Sequence, residues 1–472
     1  MIWITAGLAF LLLQVLVIIF LEFRQPAKAL AWLLVLIMLP LAGLVMYFFI
    51  ERRYPGSRRR HREEQLIPTS SGQEEVKEEW HEICQVCPRV DRKLLQLLSR
   101  FPAPSKMSKF NKNRILTNGQ ATFEAILKAM ETAVHHIHLD YYIFREQGIG
   151  EQFAERMIKK AKDGVEVRLL YDGIGSHQLS KGFIERLQRY GVETGCFSPP
   201  WLSLFANKIN YRNHRKIVVI DGRIGFFGGI NVGDEYLGKD PKLGFWRDTH
   251  VQIEGEAVYS LQETFMADWK HVTGKKLAGK PYFPEVSQHS IEWVQIVAGG
   301  PDGYREVIQA SVMACITAAK HSIRIATPYF IPDRAIISAL KLATLSGVKV
   351  TILLPAIPDS RVIYWASRSY IKELLQAGVR FYYYAKGFLH AKVTLIDDCI
   401  CSVGTANMDM RSYFKNFEIN ALFFDPQTIS RLQNDFDKDL ADSKEITYES
   451  YLERPFKDKV KEVAAHLVSP LF

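Results

Sequence analysis

"RNHRKIVVID" (residues 212–221) and "FLHAKVTLID" (residues 388–397) are two versions of one pattern. In each, a histidine and a lysine stand two positions apart at the start of an apolar run that ends in aspartate. Side chains alternate between the two faces of a strand, so the histidine and the lysine of each pair point the same way. A strand that is buried only for packing would carry apolar side chains at these positions, and not an imidazole beside an ammonium group. The pattern therefore predicts a functional site that is built twice.

The two stretches are part of a longer internal repeat. The matching pairs, in the same order in both halves, are "HHIHLDYYIF" (135–144) with "HSIRIATPYF" (321–330), "AKDGVEVRLLYD" (161–172) with "TLSGVKVTILLP" (344–355), and "YGVETGCF" (190–197) with "AGVRFYYY" (377–384). Short β-branched runs alternate with stretches of helical period, which indicates α/β units around a mostly parallel sheet. We expect two similar α/β halves, 106–285 and 286–472, packed about a pseudo-twofold axis. Two halves that do not pack together are the alternative.

An asparagine follows each pattern at the same distance from its histidine, after small residues that let the backbone approach a ligand. The candidate catalytic residues are His214, Lys216, Asp221, His390, Lys392 and Asp397, and the candidate phosphate-binding residues include Asn231 and Asn407. Asp221 and Asp397 have the opposite strand parity to the histidines, so we interpret them as supporting residues at the strand ends. Asp248 and Glu418 follow the two motifs, and such carboxylates fix the tautomer of a histidine.

This set of side chains suits chemistry at an anionic phosphoryl centre. Lysine ammonium and asparagine amide groups would stabilise the charge of the transition state. One histidine can attack phosphorus and form a phosphohistidine. The other can protonate the leaving alkoxide and later deprotonate the incoming hydroxyl group. The lysines take the charge-neutralising role, so we expect no metal and no cofactor.

Residues 1–50 are predicted to form a transmembrane hairpin of two helices, over about 2–22 and 29–50. The first run carries no charge before Glu22, and the second carries none. Each is long enough to cross a hydrocarbon core of about 30 Å. Pro40 would kink the second helix. One cleaved signal peptide followed by one anchor is the alternative interpretation.

Residues 51–105 are predicted to be a basic juxtamembrane segment and linker, which begins with the arginine-rich "ERRYPGSRRRHR" (51–62). The positive-inside rule places this segment, and the large C-terminal region with it, on the cytoplasmic side of the membrane. The formal net charge of +9 fits an anionic membrane surface. Six cysteines scattered along 472 residues predict no disulfide framework.

With both motifs in place, the chain resembles the phospholipase D superfamily, whose His-x-Lys-x4-Asp signature followed by asparagine is met twice. The segment "NMDMRSYFKNFEIN" (407–420), with its acidic residue Glu418, also resembles that superfamily. More narrowly, the second apolar run, the segment "PDSRVIYWASRSYIKELLQAGV" (358–379) and the closing "HLVSPLF" (466–472) resemble the bacterial cardiolipin synthases.

The resemblance implies transfer of a phosphatidyl group from one phosphatidylglycerol to another through a phosphohistidine, with release of glycerol. It implies His214 as the nucleophile and His390 as the general acid and base. The two repeats differ at the position two residues before the asparagine, which is Gly229 in the first half and Thr405 in the second. We assign Thr405 to phosphate binding because only this position offers a hydroxyl group.

Three other functions share these motifs. A membrane-anchored phospholipase D would use water as the acceptor and release phosphatidic acid. A nuclease of the same superfamily would cleave similar diesters, but two membrane segments argue against a nucleic acid as partner. A non-catalytic membrane scaffold would not need both motifs intact. The expected partners are phosphatidylglycerol and anionic membrane lipid, and the sequence does not fix the number of subunits.

Overall fold

The structure is a computed structural model, and it describes residues 2–23, 26–50, 81–85, 90–102, 105–199, 211–286, 290–301 and 306–471. Its helices are α1 (Ile2–Glu22), α2 (Pro26–Met38), α3 (Pro40–Ile50), α4 (Arg92–Leu98), α5 (Asn118–Thr132), α6 (Ile149–Lys162), α7 (Lys181–Arg189), α8 (Ala257–Thr273), α9 (Val307–Ala318), α10 (Arg334–Leu345), α11 (Arg361–Ser369), α12 (Ile371–Gln376), α13 (Met410–Phe414), α14 (Pro426–Ala441), α15 (Tyr448–Leu452) and α16 (Phe456–Val468).

The strands are β1 (Met107–Ser108), β2 (Asn111–Thr117), β3 (His136–Tyr141), β4 (Glu166–Asp172), β5 (Glu193–Phe197), β6 (Arg212–Asn213), β7 (Lys216–Ile220), β8 (Ile224–Gly228), β9 (Phe245–Arg247), β10 (Thr249–Gly255), β11 (Val294–Gly299), β12 (Ser322–Ala326), β13 (Phe330–Ile331), β14 (Lys349–Pro355), β15 (Arg380–Tyr384), β16 (Gly387–Leu389), β17 (Val393–Ile396), β18 (Ile400–Gly404), β19 (Met408–Asp409), β20 (Asn416–Phe423) and β21 (Ser443–Ile446).

Two large sheets are built on the same plan. The first has the order β2-β10-β8-β7-β3-β4-β5, and the second β1-β11-β20-β18-β17-β12-β14-β15-β21. Within them, only β3-β4-β5 and β12-β14-β15 run parallel. The prediction of a mostly parallel sheet is therefore wrong. Each His-x-Lys strand returns directly as a hairpin, β7 to β8 and β17 to β18, and a tight turn can join only antiparallel strands.

The two sheets pack against each other through one apolar face each. Ile217, Val219 and Phe227 of the first sheet share a fully buried cluster with residues of the second, among them Phe423. The rings of Phe227 and Phe423 are stacked, with centroids 6.5 Å apart and planes 6° from parallel. Burial of each such side chain contributes about 1.5–3 kcal/mol. The duplicated halves thus form one mixed α/β body.

A reciprocal exchange of strands also joins the halves. β6 of the first half pairs in parallel with β20 of the second, and β16 of the second pairs in parallel with β9 of the first. The backbone N–H of His214 donates to the carbonyl oxygen of Phe417 at 2.9 Å. The N–H of His390 donates to the carbonyl oxygen of Arg247 at 2.7 Å. Each histidine is therefore held by the backbone of the opposite half.

Part of the predicted linker belongs to the second half. Ile83, Leu94, Leu95 and Leu98 are buried in the core of that half. β1, just beyond, pairs with β11 of the second sheet. These apolar side chains pack in the core of the second half, so the second part of the predicted linker is a structured part of that half. The arginine-rich segment at 51–62 lies outside the described residues.

The N-terminal helices differ from the predicted hairpin. α1 coincides with the first predicted helix, but the run at 29–50 is two short helices that fold back on each other around Pro40. The rings of Trp32 and Tyr47 are 5.3 Å apart, which a continuous helix rising 1.5 Å per residue would not allow. Gly43 lies against the backbone of Leu36, where a Cβ atom would approach within 3.2 Å. The structure therefore does not show residues 29–50 as one continuous helix.

Over the ranges that the structure describes, no helix combines the length and the apolarity needed to cross a bilayer.

Candidate active site

A cleft of about 820 Å³ opens where the two halves meet. It is lined by His214 and His390, one from each motif, and by Asn231 and Asn407. The other lining residues that bear on the chemistry are Tyr142, Arg145, Tyr236, Trp246, Arg411 and Asn416. The exchange of β6 and β16 between the halves brings the two motifs to this one cleft.

His214 is bound by a carboxylate of the other half. Its Nδ1 atom lies 3.0 Å from both carboxylate oxygens of Glu418, which is fully buried on β20. Two further donors hold this carboxylate: the Thr405 hydroxyl at 2.5 Å and the Asn416 amide at 3.1 Å. The carboxylate is thus fixed from three sides, and its contact fixes the orientation of the His214 ring.

His390 has the mirror arrangement. Its Nδ1 atom lies 2.6 Å from Asp248 Oδ2, and Asp248 is fully buried just after β9 of the first half. The backbone N–H of Thr249 donates to the other oxygen of Asp248 at 2.8 Å. Gly229 packs on this carboxylate so closely that a Cβ atom would lie 2.0 Å from Asp248 Oδ1. The small residue before Asn231 therefore makes room for the carboxylate.

Burial sets the protonation of the two pairs. It lowers the pKa of His214 to about 4, although Glu418 opposes the change. Burial, reinforced by the charge of Lys392, lowers the pKa of His390 to about 3. Burial alone would raise the pKa of Glu418, but the nearby His214 and Lys216 outweigh it and lower that pKa to about 2. At neutral pH each imidazole is uncharged, donates its Nδ1 proton to a carboxylate and keeps a lone pair on Nε2.

The two lysines lie beneath the cleft and are not among its lining residues. The ammonium group of Lys216 donates to the carbonyl oxygen of His214 at 2.6 Å, and that of Lys392 donates to the carbonyl oxygen of His390 at 2.5 Å. Burial is the main cause that lowers the pKa of Lys216 to about 7 and that of Lys392 to about 8. A bound anion would favour their charged forms.

The two asparagines differ in their contacts. The side chain of Asn231 donates to the Tyr236 hydroxyl at 2.7 Å and accepts the backbone N–H of Ile143 at 3.0 Å. The side-chain oxygen of Asn407 is buried without a hydrogen-bond partner. This unsatisfied atom only accepts hydrogen bonds, so it could accept a hydroxyl proton of a ligand but could not bind a phosphate oxygen.

Asp221 and Asp397 do not share the site with the histidines. The carboxylate of Asp221 accepts the backbone N–H groups of Val134, His135 and His136, each at 2.8 Å, at the far end of β7. Asp397 accepts three N–H groups just before and at the start of β12 in the same way. Both have positive φ, 52° and 49°, in the turn that closes the hairpin. This arrangement agrees with their interpretation as supporting residues at the strand ends and corrects their place among the candidate catalytic residues: they stabilise the strand turns.

Thr405 is also corrected. The prediction that it binds substrate phosphate fails because the residue is fully buried and its hydroxyl is directed at Glu418. The same oxygen accepts the backbone N–H of Ile419 at 2.9 Å. Thr405 supports the carboxylate that holds His214, and at the matching position of the first half Gly229 gives the shorter Asp248 its space.

Several cleft residues were missed at the sequence level. Arg411 and Asn416 lie within the segment that resembles the family, and Asn416 has the same strand parity as Glu418. That shared parity could have predicted that Asn416 lies on the same face of the strand as Glu418. Tyr236 and Trp246 carry no such signal, since their rings come near His390 only through the packing of the halves. Among the described residues, no group of three or more His, Cys, Asp or Glu side chains could hold a metal ion.

Two buried histidine–carboxylate pairs that face one cleft from duplicated halves define the class of phospholipase D-like proteins. The chain belongs to the family described as "Cardiolipin synthase, PLD-like domain", whose model matches residues 126–269 and 312–440. A second model, "Phospholipase_D-nuclease N-terminal", matches residues 10–52.

Curated relatives cover almost the whole chain. It is 46% identical to a cardiolipin synthase of Geobacillus sp. (strain WCH70), over 96% of this chain and 91% of the relative. It is 45% identical to cardiolipin synthase 2 of Bacillus anthracis, over 96% of this chain and 88% of the relative. The crystal structure of a phosphatidylserine synthase from Haemophilus influenzae Rd KW20 has the same fold, with a TM-score of 0.60 at 15% identity over 81% of this chain and 99% of the other.

Proposed function

We propose that the chain is a cardiolipin synthase that transfers a phosphatidyl group from one phosphatidylglycerol to the free hydroxyl group of another and releases glycerol. The observation that carries this proposal is the pair of uncharged histidines, each bonded through Nδ1 to a buried carboxylate of the opposite half, on one cleft. The names of relatives at 44–46% identity support the same reaction.

In the proposed mechanism His214 Nε2 attacks the phosphorus of the donor lipid. The bond from phosphorus to the glycerol oxygen breaks, and His390 gives its proton to that oxygen. The negative phosphodiester in the cleft raises the pKa of His390 and so loads it with the proton it needs. In the second step neutral His390 takes the proton of the acceptor hydroxyl. The acceptor oxygen then displaces His214 from phosphorus, and cardiolipin forms.

The remaining residues are given supporting roles. Glu418 and Asp248 orient the histidines and stabilise the imidazolium that each forms in turn. Lys216 and Lys392 supply positive charge beneath the phosphoryl group, and Asn407 and Asn231 supply amide donors at the cleft surface. A pseudo-twofold axis through the cleft would relate the two sets, as the reciprocal pairing of β6 with β20 and β9 with β16 suggests.

We also propose that α1–α3 anchor the chain in a bacterial cell membrane, with residues 106–472 in the cytoplasm. The described part of α1 leaves large apolar side chains exposed, among them Trp3 at 89% and Phe20 at 79%. A water-soluble surface rarely carries such a contiguous apolar patch. The arginine-rich segment at 51–62 would favour the cytoplasmic side.

The test is to incubate the purified protein in detergent with phosphatidylglycerol alone, without added metal, and to resolve the lipid products. Cardiolipin with an equal amount of free glycerol is expected. Phosphatidic acid without cardiolipin would mean that water is the acceptor, and a phospholipase D would replace the proposed synthase.

A further inference from the structure

The last helix, α16, is amphipathic, but its apolar face is turned outward and its polar face is turned toward the protein. Its exposed side carries Phe456, Val460, Val463 and Leu467, whose side chains are 78%, 50%, 62% and 37% exposed. Spacings of four, three and four residues place these side chains on one helical face. The helix of a soluble domain turns such a face to the core, so this outer face of α16 lacks a partner within the described chain.

The orientation of α16 is fixed by its polar side. Glu462 is only 3% exposed and points inward. It accepts hydrogen bonds from Arg368 Nε at 3.0 Å, Arg454 Nη2 at 2.6 Å and the Tyr451 hydroxyl at 2.9 Å. A buried carboxylate with three donors holds the helix in one rotation. The outward direction of the apolar residues is therefore a property of the fold.

The helix α16 itself lies next to the proposed membrane anchor. α16 and the short 3-10 helix that follows it, Ser469–Leu471, both contact α2. Leu471 packs against the cluster that contains Trp32 and Leu36. The exposed Lys457 and Lys461 border one side of the apolar stripe, and Lys461 also contacts Asp458 at 3.2 Å. An apolar stripe bordered by lysines and continuous with an apolar anchor is the composition of a helix that lies in a membrane interface.

The same helix lies close to the entrance of the cleft. α11 packs against α16, and Arg368 of α11 donates the hydrogen bond to Glu462. Five residues earlier on α11, Ile363 lines the active-site cleft. A single helix thus separates the outer face of α16 from the place where a lipid headgroup must enter.

We propose that α16 lies parallel to an anionic bilayer surface, with Phe456, Val460 and Val463 among the acyl chains and the lysines at the phosphate headgroups. This would place the cleft mouth at headgroup level, so that a lipid reaches the histidines without leaving the bilayer. The proposal rests on the membrane location of α1–α3 but not on the reaction mechanism. The contact of α16 with the proposed anchor and the lysines beside the apolar stripe favour lipid over a second copy.

The direct test places an environment-sensitive fluorescent amino acid at position 463 of the full-length protein in vesicles that contain phosphatidylglycerol and lipids with quenchers on their acyl chains. We expect a blue-shifted spectrum and strong quenching at 463. The same probe at Leu12 of α1 is the positive control, and at Lys181, in the first half, it should stay unquenched. Quenching at Leu12 without quenching at 463 would overturn the proposal for α16 and leave the anchor intact.

The functional test compares the double variant Val460→Asp/Val463→Asp with Leu342→Asp, which adds a charge at a 64% exposed leucine of α10. Loss of two interfacial valines should lower the rate with lipid in vesicles by about 10-fold or more. The rate with lipid dispersed in detergent micelles should stay near that of the parent protein in both variants. An equal loss of rate in vesicles and in micelles would indicate a folding defect. If the melting temperature of the double variant is also lowered, the interfacial role is overturned.

The alternative occupant has its own signature. If a second copy of the chain covers this face, the probe at 463 should shift with protein concentration in detergent, without vesicles, and Val460→Asp/Val463→Asp should halve the particle mass. That result would replace the bilayer with a dimer. If the parent protein forms no cardiolipin from detergent-dispersed lipid, the proposed reaction is wrong, whereas the probe at 463 reports on α16 alone, so the two failures are separable.

Discussion

Glu418 lies 3.0 Å from the Nδ1 atom of His214, although 204 positions separate the two residues along the chain. The reciprocal contact joins Asp248 to His390 at 2.6 Å. Neither half on its own therefore holds a complete histidine–carboxylate pair. Catalysis, in the proposed mechanism, depends on how the halves pack as much as on either motif.

Removal of the charge on Glu418 should slow the reaction with little effect on binding. In Glu418→Gln the His214 ring loses the carboxylate that fixes its tautomer and stabilises its charged form. We expect kcat to fall by about 10²- to 10⁴-fold while KM for phosphatidylglycerol changes little. Asp248→Asn should act alike through His390. Unchanged kcat in both variants, measured by cardiolipin formation, would refute the pairing as a catalytic device.

The two histidines should differ in a labelling experiment. His214→Ala and His390→Ala are both expected to abolish cardiolipin formation while the protein stays folded. With a donor lipid that carries radioactive phosphorus, only chains that retain His214 should acquire label, and the bond should be labile to acid. Label in His214→Ala but not in His390→Ala would reverse the two roles.

Thr405 should affect turnover rather than affinity. Thr405→Val removes one of the hydrogen bonds that hold Glu418 and the acceptor of the backbone N–H of Ile419. A decrease of kcat by roughly 10-fold at constant KM is expected, because outer partners tune the groups they hold. Thr405→Ser keeps the hydroxyl and should behave as the parent chain. A raised KM with normal kcat would restore the rejected role in phosphate binding.

Asp221 should matter for stability and not for chemistry. Asp221→Ala removes the acceptor of three backbone N–H groups and places alanine at a φ of 52°, so we expect the free energy of unfolding to fall by roughly 2 kcal/mol or more. Asp221→Asn tolerates that φ and should lose less. Thermal melts in detergent measure both. A folded Asp221→Ala protein with no activity would show that the carboxylate acts in the reaction after all.

Activity should decline at alkaline pH because the two buried lysines lose their protons. The pKa values of about 7 for Lys216 and about 8 for Lys392 in the empty site predict that kcat/KM falls as pH rises through 7 to 8. A bound phosphodiester favours the protonated lysines, so the decline of kcat should lie at higher pH than that of kcat/KM. Rates over pH 5–10 provide the check, and a kcat/KM that stays flat above pH 8 would exclude the lysines as its source.

Much of the site could be predicted from the sequence because the repeat displays it twice. The His-x-Lys pairs and the equal spacing to Asn231 and Asn407 led to a two-histidine site, and the structure places all four cleft residues together. Local patterns failed where partners are distant. Strand parity could show only that Asp221 and His214 point to opposite faces of the strand. It could not show the partners of Asp221, because the three N–H groups that its carboxylate accepts precede it by more than 80 positions.

The sequence by itself determined the family, the duplicated order of elements and the histidines, since these depend on residue type and spacing along one chain. Tertiary structure alone decided which carboxylate holds which histidine, why Thr405 faces inward, how residues 29–50 fold back at Pro40, and which side of α16 is exposed. The physical reason is the same in each case. A side chain's protonation and direction follow from neighbours that packing brings from far along the chain, and no local pattern encodes them.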